Sequence, residues 1–188
     1  MRIITKEEFI LNVRKYVKTL KSDIFIYPTD TIYGIGCDAT NEDLVKKIRK
    51  IKQTEKPFSI IAPSMEWIYE HCILNEQAKE WLKKLPGPYT IILPLKNHKE
   101  LAGNISDGKT IGIRIPKHWF SKVVAMIDTP IVTTSANVTG EMFMTDLENL
   151  DKRMEKGVQF AIYEGKKAGN PSTLVHIEEG EVKIKERK

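Results

Sequence analysis

Hydroxyls, a carboxylate and glycines gathered where apolar runs break off are the residues of this chain best placed to do chemistry. The run Ile24-Phe25-Ile26-Tyr27 stops at Pro28 and opens into Thr29-Asp30-Thr31, with Gly34 and Gly36 close behind. A second such edge, Thr133-Thr134-Ser135-Ala136-Asn137-Val138-Thr139-Gly140, follows Pro130-Ile131-Val132. An apolar strand ending in such residues is how an α/β protein builds a ligand edge: hydroxyls bind, and glycines let backbone N–H groups approach an anion. Cations and hydroxyls at other strand ends extend the set to Thr29, Lys52, Lys56, Arg114, Ser135, Asn137, Ser172 and Thr173. Lysine and arginine neutralise phosphates while hydroxyls and amides fix orientation, so the set suits a polyanion with a small polar substrate. It holds no obvious covalent nucleophile. The implied reaction runs on positioning and charge stabilisation, as phosphoryl or nucleotidyl transfer does.

The elements that must position these residues alternate between helix and strand. Thr5 with Glu8 reads as a capping box for one helix carrying Phe9, Val13, Tyr16, Val17 and Leu20. Asn41 caps a second helix that turns Leu44, Val45, Ile48 and Ile51 inward and Lys46, Lys47 and Lys50 outward. Residues 58–62 read as a buried strand and 75–85 as a helix stopped by Pro86-Gly87-Pro88. Strands are expected at 89–95 and 111–115, a helix at 118–127, and a capping box at Thr145 with Glu148 before Leu147, Leu150 and Met154. The last strands fall at 159–163, 173–177 and 181–184, the final two joined by a hairpin through Glu179-Gly180. With no internal repeat, one α/β domain over residues 1–188, a twisted mixed sheet flanked by helices, is the simplest outcome.

Composition bounds the function. A chain of 188 residues with 41% hydrophobic and 29% charged residues is long enough to bury a core without a metal or disulfide. No run approaches a membrane span and the N-terminus turns acidic too early for a signal peptide, so a cytoplasmic protein without membrane contact is expected. Cys37 and Cys72 lack CxxC spacing, and Cys37 reads as a small packed hydrophobe. A net charge of +5 favours anionic partners, although most of the lysine clusters are ordinary solvated faces. There is no GxxxxGK[ST] loop, no third glycine after Gly34-x-Gly36, no paired metal-ligand spacing among His71, His98, His118 and His176, and no GxSxG around Ser135. A Walker loop, a dinucleotide fold, a zinc enzyme and a hydrolase triad are set aside, and no metal ligand from the protein is expected.

Residues Tyr27 to Ala39, reading YPTDTIYGIGCDA, resemble the signature of the YrdC-like proteins, the threonylcarbamoyl-AMP synthases. Lys52 with Lys56-Pro57, Leu85-Pro86-Gly87-Pro88-Tyr89-Thr90, Gly112-Ile113-Arg114-Ile115-Pro116, Thr134-Ser135-Ala136-Asn137-Val138-Thr139-Gly140 and Asn170-Pro171-Ser172-Thr173 follow in family order, and the length resembles the single-domain members. The resemblance implies a YrdC-like fold and a reaction in which ATP, bicarbonate and L-threonine give threonylcarbamoyl-AMP and pyrophosphate, usually with Mg2+. The product would pass to a tRNA threonylcarbamoyl transferase, and contact with tRNA or double-stranded RNA is also implied. By carry-over, Thr29, Arg114, Ser135 and Ser172 would hold threonine, while Lys52, Lys56, Asn137, Thr145 and Lys185 would meet ATP. Thr145 reads first as a helix cap, and Thr29 also fits a simple turn.

The chain departs from the family pattern in three places. Thr54 stands where relatives carry the arginine of Lys-x-Arg, in a shortened segment, so a phosphate contact is expected lost or relocated. Ile60 and Ile61 occupy the strand where many relatives place a histidine. Lys185 falls where an arginine commonly reaches the nucleotide, keeping charge but not the bidentate fork. Three alternatives stay open: a carbamoyl-adenylate-forming domain such as those of hydrogenase maturation, a divergent or inactive YrdC-like nucleotide-binding sister, and an RNA-binding module. The last would not require the hydroxyl set and would favour aromatic residues near the lysines.

Overall fold

The computed structural model describes residues 1–178 and 181–187. Among them, ten strands form one sheet: β1 (Arg2–Thr5), β2 (Phe25–Pro28), β3 (Tyr33–Gly36), β4 (Ser59–Ile61), β5 (Tyr89–Pro94), β6 (Thr110–Arg114), β7 (Ile131–Ser135), β8 (Phe160–Tyr163), β9 (Thr173–Glu178) and β10 (Glu181–Lys185). Their spatial order is β1-β8-β2-β3-β7-β4-β6-β5-β9-β10. The sheet is mixed: β4 pairs β6 and β5 pairs β9 in parallel, whereas β3 and β4 flank β7 antiparallel. The mixed sheet and its flanking helices match the expected fold class.

Alternation along the strands sends every second side chain to the same face. On one face Ile26, Ile35, Ile60, Ile91, Ile113 and Val132 pack against α3 (Glu42–Lys52), α4 (Met65–His71) and α5 (Glu76–Leu82). On the other, Phe25, Tyr27, Ile61, Ile131 and Phe160 meet α1 (Lys6–Leu11), α2 (Val13–Ser22) and α6 (Phe120–Ile127) through an aromatic cluster in which Tyr27 stacks on Phe120 at 4.6 Å. That second cover stops short. In β7, Ile131 lies under the helices, while Thr133 and Ser135 on the same face do not; in β4, Ile61 is covered and Ser59 is not. The uncovered half is polar, and it forms the floor of a cavity.

Local chemistry explains the elements and the misreadings. Asn41 Oδ1 accepts from Leu44 N at 3.1 Å and starts α3 as expected, with Leu44, Val45 and Ile48 buried and Lys46, Lys47 and Lys50 exposed. The single helix expected from Thr5 is two, because Asn12 leaves helical geometry at φ −115 and ψ 24. Strands β1 and β3 were not expected: β1 is only four residues long, and β3 contains the two glycines read as a ligand loop. Helix α4, capped by Ser64, was likewise missed. The capping box lies one residue later than expected, with Asp146 and Asn149 closing a 3-10 turn over Leu147–Asn149. Strands β9 and β10 pair antiparallel, and the expected Glu179-Gly180 turn between them lies outside the described residues. Both cysteines are buried free thiols, Cys37 within the larger core.

Candidate functional site

The cavity holds about 690 Å³ and draws its walls from the ends of β3 to β7, from β9 and β10, and from the segments around residues 52–59 and 135–140. Of the nine residues expected to bind substrates, Thr29, Lys52, Lys56, Arg114, Ser135, Asn137, Ser172 and Lys185 line it. Thr145 does not: its hydroxyl accepts from Asn149 Nδ2 at 2.8 Å beside the 3-10 turn, where it serves local structure. Thr173, which follows Ser172 as the first residue of β9, is also absent from the lining and pairs with Tyr89. Lys52, Lys56, Arg114, Lys185 and Arg187 make the wall cationic, and among the described residues no carboxylate lines it. Such a low-dielectric, one-signed concavity concentrates anions.

Arg114 is held from behind. Its Nη2 donates to Asp30 Oδ1 at 2.8 Å and to Thr31 Oγ1 at 3.3 Å, and Asp30 Oδ2 in turn accepts from Lys117 N at 2.9 Å. Burial pulls the arginine below its ordinary pKa against the opposing pull of Asp30. Its Nε is buried with no partner among the described residues. A guanidinium aimed by one carboxylate yet incompletely satisfied is suited to receive a second carboxylate or a phosphate.

Lys52 is only 4% exposed, and its ammonium donates to Ser135 O at 2.6 Å, Asn137 O at 2.7 Å and Asn137 Oδ1 at 3.2 Å. An ammonium has three N–H groups, so this lysine first pins the 135–137 turn, a role the sequence reading did not give it. Burial lowers its pKa to about 8. Asn137 is the hub of the same turn: Oδ1 also accepts from Ser135 Oγ at 2.5 Å, and Nδ2 donates to Glu141 O at 2.7 Å. Thr29 Oγ1 donates to Ile32 O at 2.7 Å and accepts from Thr31 N at 3.1 Å, so it closes its own turn while facing the cavity.

On the opposite wall Ser172 Oγ lies 2.6 Å from Thr90 Oγ1, and Arg187 clasps the serine, Nη2 donating to its Oγ and Nε to its carbonyl, each at 2.7 Å. Arg187 was missed. The signal was a spacing of two: Arg187 follows Lys185, the last residue of β10, by two positions, and both line the cavity. A guanidinium thus lines the cavity two residues beyond Lys185. In the segment around Thr54, Arg49 of α3 donates to Thr54 O at 3.3 Å and Lys56 O at 3.0 Å and lies 4.7 Å from the Phe58 ring. Thr54 itself faces the cavity. The glycines of β3 do different work from that expected. A Cβ on Gly36 would sit 2.3 Å from Val132 O and one on Gly34 3.1 Å from Tyr27 Cζ, so these glycines admit β7 and the Tyr27 ring; only Gly34 reaches the cavity.

A family model named Sua5_yciO_yrdC and described as "Telomere recombination" matches residues 19–187. A protein of Methanocaldococcus jannaschii named "Putative threonylcarbamoyl-AMP synthase" is 38% identical over 167 residues, covering 87% of this chain and 78% of that protein. The fold resembles that of a substituted form of P. abyssi Sua5, with a TM-score of 0.87 and 26% identity over 98% of this chain, which spans 56% of that longer protein. A structure of P. abyssi Sua5 complexed with L-threonine is likewise similar in fold, with a TM-score of 0.85 and 24% identity over 97% of this chain and 56% of the other.

Proposed function

The chain belongs to the Sua5/YciO/YrdC family, and on that premise we propose that it is a nucleotidyltransferase that makes threonylcarbamoyl-AMP and pyrophosphate from L-threonine, bicarbonate and ATP. The observation that carries this reading is the cavity: five cationic side chains, no carboxylate among the described lining residues, and an Arg114 guanidinium oriented from behind by Asp30. ATP brings a triphosphate and threonine brings a carboxylate, and both need positive charge in one enclosed place.

In this reading Arg114 holds the threonine carboxylate near Thr29, Ser135 and Ser172. Lys56, Lys185 and Arg187 take the triphosphate. Lys52 contributes its charge and keeps Ser135 and Asn137 in place. Threonine's ammonium and bicarbonate combine to a carbamate, releasing water and one proton. A carbamate oxygen then attacks the α-phosphorus as the bond to pyrophosphate breaks, and pyrophosphate leaves with that bond's electrons. Positioning and cationic stabilisation of the developing charge supply the rate. The described lining residues, lacking carboxylates, do not fit a resident metal cage; magnesium enters as the Mg-ATP substrate. The product, a mixed anhydride, suits a tRNA threonylcarbamoyl transferase as acceptor, and the basic surface suits contact with tRNA. Among the described residues no helix is long and apolar enough to cross a membrane.

The test is pyrophosphate release from ATP and bicarbonate with and without threonine, with mass spectrometry of the quenched mixture. Threonine-dependent release with the adenylate present is expected. Threonine-independent ATP consumption, or none, overturns the reading and favours a sister that kept the fold without the reaction.

A further inference from the structure

We propose that His176 is the base that takes the proton released when the substrate's ammonium becomes a carbamate. The inference rests on the proposed reaction, whose balance is explicit: an alkylammonium and bicarbonate give the N-carboxylate, water and one proton. The nitrogen's freed electron pair forms the new N–C bond. A proton must therefore leave the site, and few groups in the cavity can take it.

Among the described residues the lining holds no carboxylate. Lys52 is engaged on three carbonyl oxygens, and the Tyr33 hydroxyl donates to Gly165 O at 2.6 Å and accepts from Glu164 N at 3.1 Å. The Thr29, Ser135 and Ser172 hydroxyls all bond within the walls. His176 remains. It lines the cavity and makes no hydrogen bond, ion pair or ring contact with any described residue. Imidazole is the side chain suited to exchange a proton near neutral pH.

Its place in the sheet fits the task. His176 of β9 pairs with Ile92 of β5, which pairs with Gly112 of β6, while Arg114 lies two residues along β6 on the same face. Two strand spacings across and two residues along put the two Cα atoms about 12 Å apart, a gap that an arginine, an α-amino acid and an imidazole can bridge. The groups facing His176 are Lys183, directly opposite on β10 and ion-paired with Glu181 at 3.4 Å, and, two residues to either side of Lys183 on the same face, Glu181 and Lys185; Ile92 and Gly112 on the β5 and β6 side are uncharged. Lys56 and Arg187 complete the cationic surroundings. Glu181 is engaged by Lys183 and does not line the cavity, and among the described lining residues there is no carboxylate to compete for the proton.

The decisive experiment compares pH profiles of threonine-dependent pyrophosphate release for the wild type, His176→Gln and His176→Ala, the last with and without added imidazole. Thermal unfolding establishes that each variant is folded. Expected results are a fall in kcat of about 100-fold with the threonine KM little changed, loss of one limb of the wild-type pH profile, and recovery in His176→Ala on adding imidazole. In parallel, the His176 ring resonances should shift on adding threonine to the wild type. An active wild type whose profile and kcat survive His176→Gln overturns the assignment of the base alone, with bulk water then taking the proton. A wild type without threonine-dependent release and with unmoved His176 resonances overturns both this inference and the reading beneath it.

Discussion

At the residue scale the wall's cations are not equivalent, and two of them can be separated by experiment. Arg114 and Asp30 form a buried pair, 7% and 11% exposed. Removing one charge from such a pair leaves the other unsatisfied and costs about 3–5 kcal/mol. Asp30→Asn should therefore lower Tm by roughly 10 °C and weaken threonine binding, both measurable by calorimetry; an unchanged Tm would show that Arg114 needs no counter-charge. Lys52 makes a pH-dependent prediction. Its pKa falls from the ordinary 10.5 to about 8 on burial. Between those values the unfolded chain holds a proton that the folded chain has released, so this group makes stability rise with pH across that window. Binding moves the opposite way: above about pH 8 the neutral amine leaves two N–H groups for three acceptors and the wall loses a charge. ATP titrations at pH 7 and pH 9 should give weaker affinity at the higher pH, and equal affinities would place the Lys52 charge outside nucleotide recognition.

Among the elements, the contact of β3 with β7 sets the geometry of the polar turn. Gly36 sits against Val132 O, where a Cβ would come within 2.3 Å of a main-chain oxygen that cannot swing aside. Gly36→Ala must push β7, and with it Thr133, Ser135 and Asn137, away from β3. Overpacking of this kind costs about 1–3 kcal/mol. Chemical denaturation should register that loss, and activity per folded molecule should fall as well, since the displaced strand carries the turn pinned by Lys52. Normal turnover in a destabilised Gly36→Ala protein would mean that the turn keeps its shape independently of β7.

For the whole molecule, the C-terminal strand is an edge that completes the site more than the core. Most of β10 is exposed, whereas Lys185 and Arg187 face the cavity. Removing residues 181–188 should leave the rest of the sheet folded, with both hydrophobic clusters intact, because neither contains a residue of β10. It should weaken ATP binding by about tenfold or more, the scale of losing a charge-assisted bidentate contact. Circular dichroism and ATP titration of the shortened chain test the two halves of that statement separately; loss of fold would show that the strand is structural after all.

Sequence by itself determined the alternation of helices and strands, the Asn41 cap, the apolar stripe of α3 and the residue types at the ends of β2, β6 and β7, because these follow from local periodicity, capping chemistry and short motifs. It also pointed to eight of the residues that line the cavity. Only the tertiary structure decided what each does. Whether Lys52 faces a phosphate or three carbonyl oxygens depends on the turn at 135–137, more than eighty residues away. Whether Gly36 serves an anion or a neighbouring strand depends on β7. Arg187 and His176 enter the site through the parallel pairing of β9 with β5 and the return of β10, long-range strand pairings that no local pattern specifies. Hydrogen-bond partners and strand neighbours are set by the packing of the whole chain, and the roles of these side chains follow from those partners.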